Sequence, residues 1–212
     1  MRKNVLLFAM IVVATFASCT KESTNPTSNV ITDDQSESYF PLKVGNSWEY
    51  SSTLPKLPTF VKNEIEGQTV INGKTYFVMN SSATSAKTNY RYENNVLYSI
   101  GVNGFGFDET KEYVLNNFNQ SIGDSLVFVG TNPQGFPMKT VFIIKAKGAT
   151  RTIKGVTYSN VIAYDNLSYY SFIGTDWTLY STFSSYYGKG VGYLGGDYGA
   201  SGTYDLSSYN IK

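Results

Sequence analysis

The sequence predicts an all-β chain, an antiparallel meander forming a sandwich or a strongly curved, partly closed sheet. Three observations carry this. From Tyr39 onward, short runs of alternating or β-branched and aromatic residues are broken by Gly and Asn about every ten residues. No long helical period appears. Asn72-Gly73, Asn94-Asn95 and Asn103-Gly104 supply the positive-φ residues that tight hairpins require, so consecutive strands should pair antiparallel.

In chain order, residues 1–18 read as an export leader: basic Arg2 and Lys3, an apolar run from Val5 to Phe16, then small residues before Cys19. As a helix this run would rise about 18 Å, short of the ~30 Å hydrocarbon core that a spanning helix must cross. Phe16-Ala17-Ser18-Cys19 resembles a bacterial lipobox, with Phe where Leu is usual. The resemblance implies a diacylglycerol on the Cys19 sulfur, cleavage before it and acylation of the new amine. The alternative is an ordinary secretory leader cut after Ala17 or Ser18. With two or three acyl chains, each buried methylene adding about 0.8 kcal/mol, the protein would sit on a membrane rather than within it.

Residues 19–38 hold the lipidated Cys and a tether rich in Ser, Thr, Asn and Asp, with little to bury. As a flexible coil it reaches roughly 25 Å. Its acidic residues resemble the surface-export signals of some Bacteroidetes lipoproteins, and they fit an acidic disordered linker at least as well.

Residues 39–212 read as one all-β domain. Strands are expected near Trp48–Ser52, Phe60–Gln68, Thr75–Asn80, Tyr90–Glu93, Val96–Ile100, Lys111–Asn116, Ser125–Gly130, Lys139–Lys147, Val156–Asp165, Thr178–Phe183 and Gly190–Leu194. In Lys139–Lys147, Thr140, Phe142, Ile144 and Ala146 share one face, while Lys139, Lys145 and Lys147 point the other way beside Val141 and Ile143. Beyond Gly192, Gly195, Gly196, Gly199 and Gly202 read as a loose stretch. Ile71–Tyr76 is echoed by Ile153–Tyr158, through duplication of a half-sheet or through shared turn chemistry.

Tyr39-Phe40-Pro41-Leu42, Gly45-Asn46, Trp48 and Tyr50, then Asn72-Gly73-Lys74-Thr75-Tyr76, Gly123-Asp124 and Gly190-Val191-Gly192, are similar to motifs of Bacteroidetes-type envelope lipoproteins. The resemblance runs from Tyr39 to the C-terminus and departs after Gly192. It implies an all-β exported domain and no catalytic residues, since those relatives are largely uncharacterised.

Composition narrows the chemistry. The 212-residue chain carries a formal charge of +1; removing Arg2 and Lys3 with the leader leaves 15 basic side chains against 16 acidic ones, or −1. No nucleic-acid partner is implied. One cysteine permits no internal disulfide, so stability rests on a core drawn from 42% hydrophobic and 16% aromatic residues. With no histidine, Ser-His and Cys-His nucleophiles and His-bearing zinc sites are absent. No cofactor and no metal site is expected. Asp108-Glu109 beside Glu112 reads as a polar loop rather than a calcium site. A glycosidase needs two carboxylates roughly 5 to 10 Å apart, and Glu64 and Glu66 would sit about 7 Å apart on one strand face, as on any solvated strand.

Lys139, Lys145, Lys147, Arg151 and Lys154 fall in a window without acids, either a basic face for anionic headgroups or residues solubilising a hairpin. Tyrosines crowd the chain after position 157, where they can stack on sugars or fill a half-buried pleat. Trp177, Tyr186 and Tyr187 are the candidate ligand-binding residues. The leading reading is a non-enzymatic lipoprotein of the cell envelope, at the outer membrane, binding a glycan, lipid or protein. The alternatives are a carboxylate-based hydrolase and a structural or adhesion subunit whose sheet edge pairs with a partner strand.

Mass spectrometry of the mature protein is expected to find the leader removed before Cys19 and the added mass of a diacylglycerol on that residue. C19S should lose that mass and keep the leader.

Overall fold

A computed structural model describes residues 35–84, 87–101, 110–131, 135–172 and 176–212, which belong to one compact unit. The leader, Cys19, most of the tether, Asn103-Gly104, Asp108 and Glu109 lie outside the described residues.

The described chain forms a single antiparallel sheet of twelve strands that curls into a nearly closed barrel. The strands are β1 (Ser47–Ser52), β2 (Phe60–Ile71), β3 (Lys74–Ser81), β4 (Thr88–Glu93), β5 (Val96–Ile100), β6 (Tyr113–Asn117), β7 (Ser125–Thr131), β8 (Pro137–Ile153), β9 (Val156–Tyr170), β10 (Thr178–Gly188), β11 (Gly192–Asp197) and β12 (Thr203–Asn210). Their order is β6-β5-β4-β3-β2-β1-β12-β11-β10-β9-β8-β7. Each strand pairs with its sequence neighbour except β6 with β7. The sheet is completed in its middle by the first strand against the last, with Ser47 opposite Asn210 and Ser52 opposite Tyr204.

The curved alternative is therefore the one adopted, and it needs one more strand than the eleven expected. β12 was hidden by the glycines before it, of which Gly195, Gly196 and Gly202 are closely packed. Gly195 pairs with Asp205 at φ +121°, and a Cβ there would stand 2.0 Å from the Tyr204 carbonyl oxygen. Glycine lets β11 and β12 approach at this point.

The two ends of the barrel differ. At one end lie the two-residue turns, Asn72-Gly73 with φ of 51° and 75°, Asn94-Asn95 with 51° and 59°, and Lys154-Gly155 with 48° and 83°. The echoed hairpins both turn here. So does the link from β6 to β7, whose Phe118 ring plugs this end against Tyr39, Tyr92, Tyr164 and Tyr187, with centroids 5.2 to 6.3 Å away. Lys147 fixes that link by donating to the Phe118 and Gln120 carbonyls, each at 2.9 Å. At the other end run the longer connections β1–β2, β3–β4, β5–β6, β7–β8, β9–β10 and β11–β12.

The N-terminal segment enters at the plugged end. Ser36 to Ser38, read from sequence as the last of the tether, lie against the β10–β11 turn: Gly190 donates to the Ser38 carbonyl at 2.7 Å and Lys189 pairs with Glu37. Phe40 and Leu42 then bury beside Trp48. Asn46, fully buried, donates to the Pro41 carbonyl at 3.0 Å and accepts from the Lys212 backbone at 2.9 Å, clasping the start of the sheet to its end.

Inside and outside follow the strand alternation. Trp48, Tyr50 and Ser52 of β1 turn inward and are buried, while Glu49 faces out. The far half of the β8–β9 hairpin curls over the outside of the sheet to β12, where Arg151 reaches Asp205 at 3.2 Å and Lys154 reaches Ser207 at 2.9 Å. Another outer cluster centres on Glu112, which accepts from Tyr76 at 2.5 Å and from Lys74 and Arg91 at 2.8 Å. Burial would raise its carboxyl, but the hydrogen bonds from Lys74, Tyr76 and Arg91 outweigh it and hold it down at about 2.

Gly195→Ala is expected to cost about 3 kcal/mol in urea denaturation, because the backbone of β12 must move. Gly199→Ala, at φ +60° with open space around the added carbon, should cost only about 1 kcal/mol.

Candidate functional site

The inward faces of both halves of the sheet enclose a cavity of about 460 Å³. Its depth is set by Phe40, Trp48, Leu97 and Tyr187 next to the plugged end, and Leu57, Ala83, Phe128 and Tyr198 surround its opening at the other. Among the described residues that line it there is no charged side chain. The acids and bases of the same strands alternate to the outside, where several pair with one another, such as Lys62 with Glu64 and Lys145 with Asp165.

Tyrosine builds much of the wall. Tyr50 stacks on Tyr204 with centroids 4.7 Å apart, and Tyr193 meets Tyr50 at 5.8 Å and Tyr187 at 5.2 Å. Phe183 and Tyr198 lie nearly parallel at 4.6 Å. Tyr50 is also held at its polar end, donating to the Tyr193 carbonyl at 3.0 Å. That bond and the ring stacking keep Tyr50 standing at the wall instead of collapsing into the space.

The polar lining residues are only partly satisfied by the wall: the Asn63 and Asn166 Oδ1 atoms are buried without a hydrogen-bond partner among the described residues. Asn166, fully buried on β9, donates to Ser185 at 3.0 Å and to the Phe183 carbonyl at 3.1 Å, which ties β9 to β10. Facing carbonyls fix its amide nitrogen on that side. Thr140 and Ser168 lie 3.5 Å apart across β8 and β9. What remains for an occupant is a mainly apolar, aromatic surface with a few hydroxyls and side-chain amides, the composition of a small-molecule pocket.

The three candidate residues do not come together. Tyr187 lines the cavity. Tyr186, its neighbour in a strand, points outward beneath Arg151, whose guanidinium lies 3.6 Å from the ring centroid. Trp177 lies at the open end under Lys139, at 4.8 Å. Sequence reasoning missed Trp48, Tyr50, Phe142 and Asn166 as lining residues; the alternation around Trp48 and Tyr50 was visible, but nothing local says which strands face each other.

The remaining candidates are dispersed. Glu64 pairs with Lys62 at 2.5 Å and Glu66 with Lys87 at 2.6 Å, both on the outer face. The lysine window does not form a free basic face: Lys145 bonds Asp165 at 3.0 Å, Lys147 caps carbonyls, Arg151 and Lys154 bridge to β12, and Lys139 sits on Tyr169 and Trp177. Among the described residues no group of three or more His, Cys, Asp or Glu could hold a metal ion.

No family model matches the chain, and no curated protein matches it. Among solved structures it is similar to a chain described as a "putative lipoprotein" from Parabacteroides distasonis ATCC 8503, at 10% identity and a TM-score of 0.43, over 82% of this chain and 99% of that one. A likeness that loose carries no argument about function.

Burial raises the hydroxyls of Tyr50, Tyr187, Tyr193 and Tyr204 above the usual 10.0. The folded protein thus keeps protons that the unfolded chain releases, so their contribution to stability is whole below pH 10.0 and is lost as pH rises toward the higher folded values. An alkaline titration should show tyrosinate absorbance rising in two stages, the second coinciding with loss of the far-ultraviolet β signal. Ionisation of all tyrosines with that signal intact would refute this.

Proposed function

We propose that this protein is a bacterial envelope lipoprotein, anchored at the outer membrane through Cys19, that binds an uncharged, largely apolar small molecule inside its curled sheet and performs no chemistry on it. The observation that carries the reading is the uncharged, ring-lined cavity of about 460 Å³. A charged ligand would lose its water there and find no counter-charge, at a cost of several kcal/mol. An apolar one displaces water that the aromatic walls hydrogen-bond poorly, which favours binding. A sugar fits less well, because the Asn166 amide nitrogen and the Ser185 hydroxyl already bond each other, which leaves few polar atoms, the Asn63 and Asn166 Oδ1 among them, for its many hydroxyls. For the anchor the support is the order of residues 1–19. Hydrolysis has weaker support, since Glu64 and Glu66 are ion-paired outside the cavity.

The test uses the full mature protein in phospholipid nanodiscs, titrated with N-phenyl-1-naphthylamine and read by energy transfer from Trp48, with W177F removing the other tryptophan. Saturable transfer above that of empty nanodiscs is expected. Ser168→Phe, which fills the lumen, should weaken it roughly tenfold or more, and E64Q/E66Q should leave it unchanged. Absence of saturation in the wild type would exclude the proposal.

A further inference from the structure

Strands β8, β9 and β10 rise past the mouth of the cavity as a lip. On it Phe136, Tyr170, Phe172 and Tyr180 form a chain of ring contacts, with centroids 5.3 Å apart for Phe136 and Phe172, 5.0 Å for Tyr170 and Phe172, and 6.1 Å for Tyr170 and Tyr180. These rings are in water: Phe172 is 68% exposed, Tyr180 70% and Phe136 39%. The outward side of the same lip shows Val129 and Leu179, 62% and 50% exposed, beside Trp177 and Lys139. Contiguous exposed apolar surface of this kind marks a contact.

We propose that the lip docks on the surface of a lipid bilayer, and that this bilayer is the source or the destination of the molecule held in the cavity. The inference rests on the cavity's taking an apolar ligand, the reading given above. Three observations favour lipid as the occupant. The lip is continuous with the cavity wall through β8, β9 and β10, so an apolar molecule could pass from membrane to lumen without crossing water. Its residue types, Phe, Leu, Tyr and Trp with a lysine over the rings, are those that settle at a membrane interface. Its described charges, Lys139 and Asp176, cancel, which fits a neutral headgroup layer better than a charged protein. The chain's own tether is a poor occupant. It joins the barrel at the opposite, plugged end and offers only Val30 and Ile31 as apolar cover.

Ser38 meets the β10–β11 turn at the plugged end, opposite the lip, so the bilayer offered to the lip in the test is one other than that holding Cys19. Docking would be shallow, because β-strand edges with unpaired backbone groups do not enter hydrocarbon.

The experiment mixes phosphatidylcholine vesicles carrying the full lipidated protein with protein-free vesicles of brominated phosphatidylcholine. Bromolipid should quench tryptophan emission in the wild type; W177F should abolish this quenching, since Trp48 is only 2% exposed deep in the core. F172S/Y180S should reduce both the quenching and the recruitment of protein-free vesicles roughly fivefold or more, with little dependence on salt. Both positions are exposed, so this variant should still take up N-phenyl-1-naphthylamine as the wild type does. Unchanged quenching in F172S/Y180S, or none in the wild type, overturns the proposal. Clustering of protein-bearing vesicles that leaves protein-free ones behind overturns it too, by making a second copy of the chain the occupant. Wild-type protein that quenches but never binds the naphthylamine probe would fail the cavity reading instead.

Discussion

The pairing of β1 with β12 is the constraint on which the rest of the molecule depends. Without it the chain is two six-stranded meanders, β1–β6 and β7–β12, each with one face of aromatic rings and no partner for it. With it the two become one sheet, and curling brings those faces opposite each other. The ladder runs from Ser47–Asn210 to Ser52–Tyr204 and is irregular between Glu49 and Tyr50. A bulge there adds local twist, which helps a long sheet to curl. Asn46 reinforces the same junction by bonding both the N-terminal segment and Lys212. Because the contact is maximally non-local in sequence, it must form against a large loop-closure entropy.

Closure alone would give a packed barrel. The lumen persists because of how its rings are held. A buried leucine can change rotamer to fill a gap, but Tyr50 is fixed at its far end by a backbone carbonyl and at its face by Tyr204. Phe118 is held by four other rings and its main chain by Lys147. The core therefore concentrates at the plugged end, where Leu97, Ile144, Ile162 and Leu194 are nearly or fully buried. Toward the mouth, rings and hydroxyls line space.

The hairpins were legible in the sequence because their chemistry is local. Asn72-Gly73 and Asn94-Asn95 announce two-residue turns, and both form with positive φ. The strands flanking them followed from alternation. β12 was not legible, since Thr203–Asn210 follows four glycines that read as looseness; Gly195 and Gly196 instead allow close approach between strands, visible only once the neighbour is known. Curvature was left open between sandwich and partial barrel, because a meander of twelve strands can fold on itself either way. The cavity was illegible for the same reason. Adjacent Tyr186 and Tyr187 were candidates together, yet a strand sends them to opposite faces, one under Arg151 and one into the lumen.

The difference between the two ends of the barrel follows from turn length. In an up-and-down sheet all odd-to-even connections fall at one end and all even-to-odd ones at the other. Here the tight turns all close even-to-odd connections, with that at 154–155 carried on over the outside of the sheet, and at the end they mark the inserted ring of Phe118 packs against Tyr39, Tyr92, Tyr164 and Tyr187 and stops the barrel. The opposite connections, such as 53–59 and 198–202, are longer and leave a mouth with Leu57 and Tyr198 beside it. A single cause, the placement of two-residue hairpins, thus decides which end is shut, which end opens, and that the chain enters the barrel away from its opening.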